Sequence, residues 1–130
     1  MSKLNLGILG GGQLGSMLAT AAKKLDINTI IYCDDKDAPA QKFSDNFLFG
    51  NYNDENKISE FVNKVDVVTF EFENIPFDTL EFINKHKQVL PKPNINQVIQ
   101  NRFLEKKFLN SLNIKTTDYV TVKNLQDLHK

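Results

Sequence analysis

The chain has 130 residues, with Lys plus Arg matching Asp plus Glu at 16 each and a formal net charge of zero. Its hydrophobic fraction of 41% and charged fraction of 25% exclude wholesale disorder. The zero balance argues against a surface built to coat nucleic acid or an anionic membrane. The length suits one domain, or one domain and the beginning of a second. No apolar run approaches the roughly 20 residues that span a bilayer. The stretch from Met1 to Leu9 runs straight into glycines and has no small-residue cleavage site, so it does not read as a signal peptide. The expected location is the cytoplasm. Cys33 is the single cysteine, so no internal disulfide forms, and it is expected as a small buried hydrophobe ending a strand.

Leu4 to Leu9 is a short apolar run stopped by Gly10-Gly11-Gly12 and reads as a buried strand. From Gln13 the period changes. Leu14, Met17, Leu18, Ala21, Ala22 and Leu25 follow the i, i+3, i+4 spacing and predict a helix with that apolar face, with Lys23 and Lys24 near its C-terminal end. Thr29 to Cys33 is β-branched and predicts a second strand, ended by Asp34-Asp35. Pro39 and its neighbours predict a loop or short helical turn. Phe47 to Phe49 predicts a third strand closed by Gly50. Asp54 is placed to cap a helix to about Lys64, with Ile58, Phe61 and Val62 inward.

Val65 to Phe72 reads as a central parallel strand, because its first part is nearly continuously apolar. Pro76 opens a helix with Leu80 and Ile83 inward, and Val89-Leu90 is a fifth short strand stopped by Pro91 and Pro93. This order predicts an α/β fold with an open parallel sheet. After Pro93 the rhythm changes. Asn94 to Leu112 reads as two consecutive helices, Thr116 to Val122 as a strand outside the first series, and Asn124 as the cap of a final helix carrying Leu125 and Leu128. An element begun and not finished suggests a cut chain. The expected division is residues 1–93 as a complete α/β domain and residues 94–130 as the beginning of its neighbour.

Three stretches carry chemistry. Gly10-Gly11-Gly12-Gln13-Leu14-Gly15 follows a strand and opens a helix, with Asp34 and Asp35 about 20 residues on, which is the Rossmann dinucleotide-binding pattern in its expected context. Its glycines allow close backbone approach, and the helix N-terminus offers unpaired N–H groups to an anion. A pyrophosphate, with Asp34 or Asp35 on the ribose, and a single phosphate of a nucleotide-like substrate both suit it. Glu71 and Glu73 lie in Phe70-Glu71-Phe72-Glu73-Asn74-Ile75-Pro76, at the carboxyl end of a strand where ligands of open α/β sheets gather. Strand alternation points both to one side, where carboxylates bind amino or hydroxyl donors, or a metal. Glu73 has an alternative use in capping the N–H groups from Asn74 to Phe77. Further on, Glu105, Lys106 and Lys107 read as a solvated helix face, whereas Arg102, at the hinge after the sheet, is placed to grip phosphate.

Taken in order, Gly7 to Gly15, Phe70 to Pro76 and Asn101 to Lys106 resemble the N-terminal part of the 5-(carboxyamino)imidazole ribonucleotide synthases, the ATP-grasp carboxylases of bacterial purine biosynthesis. The formate-dependent glycinamide ribonucleotide transformylases share this layout. Gln13 in the glycine turn and the Glu-Phe-Glu-Asn strand end favour the carboxylases. The resemblance implies a Rossmann-like pre-ATP-grasp domain plus the start of an ATP-grasp domain. It implies that ATP phosphorylates bicarbonate to carboxyphosphate and that the amine of aminoimidazole ribonucleotide takes up the carboxyl group. Carried onto this sequence, it assigns Gly12, Gln13, Leu14, Glu71 and Glu73 to aminoimidazole ribonucleotide and Arg102 to ATP phosphates. It places the remaining ATP-binding residues and the Mg2+ carboxylates beyond Lys130, with no catalytic or metal residue before it. The full-length enzyme is expected to be a homodimer, with this stretch inactive alone. Ser16 departs from the family, many members of which have Arg there. A nicotinamide-dependent oxidoreductase domain is the alternative from a different class, distinguished by NAD binding through Asp34 or Asp35.

Overall fold

The computed structural model describes residues 3–129. The first part alternates strand and helix: β1 (Asn5–Leu9), α1 (Gln13–Lys24), β2 (Asn28–Cys33), a 3-10 turn (Pro39–Lys42), β3 (Asn46–Phe49), α2 (Glu55–Val62), β4 (Val67–Phe70), α3 (Phe77–Asn84) and β5 (Gln88–Val89). Two helices follow, α4 (Pro93–Ile99) and α5 (Arg102–Ser111), and a 3-10 turn, Leu125–His129, comes last. The five strands form one parallel sheet in the order β3-β2-β1-β4-β5. β1 is central, with Leu9 level with Tyr32 of β2 on one side and with Phe70 of β4 on the other. The chain proceeds outward from β1 in one direction and then returns to begin again at β4. The gap between β1 and β4 at their carboxyl ends is therefore the topological switch point, where sheets of this kind form a crevice.

The two faces of the sheet are packed unequally. On one face Leu9, Tyr32 and Val68 meet Ile58, Phe61, Leu80 and Ile83 from α2 and α3 in a core of large side chains. On the other, Ile8, Ile31 and Cys33 meet Ala19, Ala38 and Ala40. The Asp54 side chain accepts from the Asn56 and Lys57 N–H groups at 3.1 Å each and starts α2 as its sequence predicts. Ile58, Phe61 and Val62 face inward. So do Leu80 and Ile83 of α3.

The predicted face of α1 is corrected. Its buried residues are Gly15, Ala19 and Ala22, while Leu14 and Met17 are 54% and 60% exposed and Leu18 and Leu25 are also exposed. Ala19 packs with Ile8 and Ile31 of the sheet and with Ala38 and Ala40 of the 3-10 turn, so of the predicted face Ala22 is buried while the larger apolar residues are turned outward. The predicted strand from Thr116 to Val122 is also corrected. The segment makes no strand pairing among the described residues, and the Tyr119 ring lies against α5, edge-on to Phe103 and under the Lys106 ammonium. Its alternating apolar residues are exposed because no sheet edge lies beside them. The capping role of Asn124 holds, its side chain accepting from the Gln126 and Asp127 N–H groups, but the turn it starts is 3-10. Helix α4 packs on α3, and α5 on α4; Asn96 of α4 is fully buried and donates to the Ile75 carbonyl. No helix among the described residues is long and apolar enough to cross a membrane.

Candidate functional site

The crevice at the switch point is built by two strand ends. β1 stops at Leu9, and Gly10 turns away with φ of +102°, while its N–H still donates to the Tyr32 carbonyl of β2. β4 stops at Phe70, and the Glu71 N–H donates to the Leu9 carbonyl, which holds Glu71 directly beside the glycine turn. Its carboxylate crosses Gly10 and accepts from the Gly12 N–H at 2.9 Å. A Cβ on Gly10 would fall 2.4 Å from Glu71 Cγ, and one on Gly12 2.9 Å from Oε1. The glycines make room for this carboxylate, and the positive end of α1, which begins at Gln13, favours it electrostatically. An anion does sit at the glycine turn, and it is the protein's own.

Around this contact lies a cleft of about 200 Å³. Cys33, Asp34 and Asp35 enter it from the end of β2, Tyr52 from the loop after β3, and Glu71 and Phe72 from the end of β4. Cys33 is buried as its sequence position suggests, and its sulfur accepts from the Asp35 N–H. No Lys, Arg or His lines the cleft, and three carboxylates do. Its chemistry is that of a hydrogen-bond acceptor site suited to hydroxyl or amino donors. A phosphate would be repelled by Asp34, Asp35 and Glu71.

Gly12 and Glu71, far apart in sequence, are thus brought together. The other expected site residues are not brought into this cleft. Gln13 faces a separate depression of about 510 Å³ outside α1, beside Met17 and Phe43, and Leu14 is exposed. Glu73 does not line the cleft beside Glu71, and the strand whose alternation would align them ends at Phe70. Glu73 is exposed, and its backbone carbonyl accepts from the Gln100 side chain. Arg102 is 81% exposed and pairs with Glu105 at 2.7 Å, one helical turn along α5. Tyr52 is the cleft residue that the sequence reading passes over. It stands between two asparagines in a polar loop, with no periodic partner. An aromatic residue in a loop at the carboxyl edge of the sheet is the one signal that would have marked it.

The family model for the ribonucleotide synthetase preATP-grasp domain matches residues 1–100. The chain is 42% identical over 123 residues to a bifunctional purine synthesis protein purC/E of Dictyostelium discoideum, covering 95% of this chain and 12% of that protein. A solved N5-carboxyaminoimidazole synthetase of Staphylococcus aureus, complexed with ADP, superposes with a TM-score of 0.91 at 31% identity, covering 98% of this chain and 35% of the other. An N5-carboxyaminoimidazole synthase of Aspergillus clavatus, in complex with ADP and 5-aminoimidazole ribonucleotide, superposes with a TM-score of 0.85 at 27% identity, again over 98% of this chain and 35% of the other. The chain thus spans about a third of each synthase it matches in structure. With a family match across the whole sheet and its switch-point crevice, the chain belongs to the ribonucleotide synthetase preATP-grasp domain family.

Proposed function

We propose that this chain is the N-terminal, ribonucleotide-binding portion of an ATP-dependent carboxylase. The full-length enzyme converts aminoimidazole ribonucleotide, bicarbonate and ATP to N5-carboxyaminoimidazole ribonucleotide, ADP and phosphate. The observation that carries this reading is the Glu71 carboxylate held on the Gly12 N–H at the switch point, in a fold shared with a synthase solved with 5-aminoimidazole ribonucleotide and ADP. In the reaction, a bicarbonate oxygen takes the γ-phosphoryl group and ADP departs. The amine nitrogen of the ribonucleotide then attacks the carboxyl carbon of carboxyphosphate, and phosphate leaves.

The part of this chain is to hold the ribonucleotide. Glu71 accepts from its hydroxyl or amino groups, and the Gly12 N–H fixes the carboxylate so that little rotamer freedom is lost on binding. The acidic lining directs the substrate phosphate away from Asp34 and Asp35, toward the rest of the enzyme. Arg102 reaches ATP phosphates only after exchanging Glu105 for them, a modest cost for so exposed a pair. Magnesium would supply charge neutralisation to phosphoryl transfer. In this reading its ligands, like most of the ATP site, belong to the remaining two-thirds of a cytoplasmic, homodimeric enzyme. Residues 1–93 form the substrate-binding unit, and residues 94–130 lead into the ATP-grasp domain.

A nicotinamide-dependent oxidoreductase would need the Gly12 N–H for pyrophosphate, and Glu71 already occupies it. Steady-state kinetics of the full-length protein test the proposal. ADP formation is expected to require both bicarbonate and aminoimidazole ribonucleotide. Glu71→Ala is expected to raise KM for the ribonucleotide about 10- to 100-fold, the worth of a charge-assisted hydrogen bond. A near-normal KM in that variant, or ADP formation indifferent to the ribonucleotide, overturns it.

A further inference from the structure

The carboxylates account for the acceptors of the cleft. Its donor is Tyr52. The residue is 7% exposed, and its ring is fixed between Tyr32 and Phe72, at centroid distances of 5.8 and 6.3 Å. Its backbone carbonyl is tied to α3 by the Thr79 hydroxyl at 2.8 Å. The phenol oxygen nevertheless makes no well-formed hydrogen bond, and the neighbouring Cys33 thiol is only a weak partner for it. Buried hydroxyls are ordinarily satisfied, so one with no stronger partner than a thiol in a ligand crevice marks a position where a better partner arrives with the ligand. Burial first, then the neighbouring Cys33 and Asp34, the weak hydrogen bond with the Cys33 thiol, and Glu71 raise its pKa, so the group stays protonated and able to donate.

We propose that the Tyr52 hydroxyl is a substrate contact that donates a hydrogen bond to a ribose hydroxyl oxygen of the bound ribonucleotide, an inference that rests on the function proposed above. A ribose hydroxyl suits the surroundings better than a phosphate oxygen does. It accepts from Tyr52 and sends its own proton to one of the carboxylates alongside, Glu71 or Asp34, whereas a phosphate has only negative charge to set against them. Tyr52 and Glu71 would then read one diol, one as donor and the other as acceptor.

The test compares full-length wild-type protein with Tyr52→Phe, which keeps the ring and removes only the oxygen. KM for aminoimidazole ribonucleotide is expected to rise roughly three- to tenfold, the range for a neutral hydrogen bond, with kcat within twofold of wild type. The melting temperature of the unliganded variant is expected to equal or exceed that of wild type, because a buried hydroxyl with no stronger partner than a thiol has gone. The thermal stabilisation by the ribonucleotide is expected to shrink. A merely structural tyrosine predicts the reverse: lower unliganded stability, with an unchanged ligand response. In parallel, analogues lacking the 2′- or the 3′-hydroxyl are titrated into wild-type protein, and one of them is expected to lose a factor similar to that of the variant. Unchanged KM and unchanged ligand stabilisation in Tyr52→Phe, or full affinity for both deoxy analogues, overturn the role of Tyr52 alone. Absence of any response of wild-type protein to the ribonucleotide overturns the functional reading beneath it.

Discussion

Gly10 and Gly12 both lie against Glu71, yet their replacement by alanine has different consequences. At Gly10 the backbone is in the left-handed region, at φ of +102°, and the added Cβ would strike the Glu71 side chain near its base. Neither the backbone nor Cγ of Glu71 can yield cheaply. Gly10→Ala is expected to cost about 2 kcal/mol or more of stability, measured as a shift of the urea midpoint. Gly12 has an ordinary φ of −75°, and its Cβ would meet only the carboxylate tip. Gly12→Ala is expected to unfold at nearly the wild-type midpoint while displacing Glu71 and weakening the proposed ribonucleotide binding severalfold. If both variants lose similar stability, the glycine turn is chiefly structural. The separate marks of the site were legible: a glycine turn before a helix, and a charge at the end of an apolar strand. Their contact was not, because it depends on β4 returning to pair with β1, which neither segment reveals alone.

The elements divide according to what their periodicity measures. In α2 and α3 the apolar spacing identified the buried faces, because these helices stand off from the sheet far enough to insert Ile58, Phe61, Leu80 and Ile83. In α1 the same spacing pointed outward. A hydrophobic pattern ranks residues by size as well as polarity, and close packing against the sheet selects Gly15, Ala19 and Ala22 instead. The segment from 116 to 122 failed for a related reason: alternation predicts a strand only where an edge is free to pair with it. The inequality between the helices is measurable. Leu80→Ala, at a fully buried position, is expected to cost 2–5 kcal/mol, as large-to-small core changes do. Leu14→Gln, on the exposed face of α1, is expected to stay within about 0.5 kcal/mol of wild type. Comparable losses in chemical denaturation would mean that α1 buries its large face after all.

The molecule as a whole is electrically balanced at neutral pH, so its pH limits are set by particular buried groups. Tyr32 is the clearest of them. It is fully buried in the larger core, with its hydroxyl donating to the Asn51 carbonyl at 2.7 Å and its ring against Phe61. Burial, assisted by Asp54, Asp34 and Glu60, raises its pKa from 10 to about 12. Below pH 10 the phenol is protonated in both folded and unfolded chains and exacts no penalty. Between about pH 10 and 12 the unfolded chain gives up the proton while the folded one retains it, so stability falls as pH rises. A shift of about two units corresponds to roughly 2–3 kcal/mol lost across that window. Self-repulsion of a chain that turns net negative at alkaline pH adds to this loss. That background is common to wild type and to Tyr32→Phe, so their difference isolates the tyrosine. The variant is expected to be about 1 kcal/mol less stable at pH 7, having lost one hydrogen bond. It is expected to fall less steeply above pH 10, so that the two curves of urea midpoint against pH converge or cross near pH 12. Parallel curves would show that Tyr32 ionises without regard to the fold, and that the alkaline limit belongs to the charge of the whole chain.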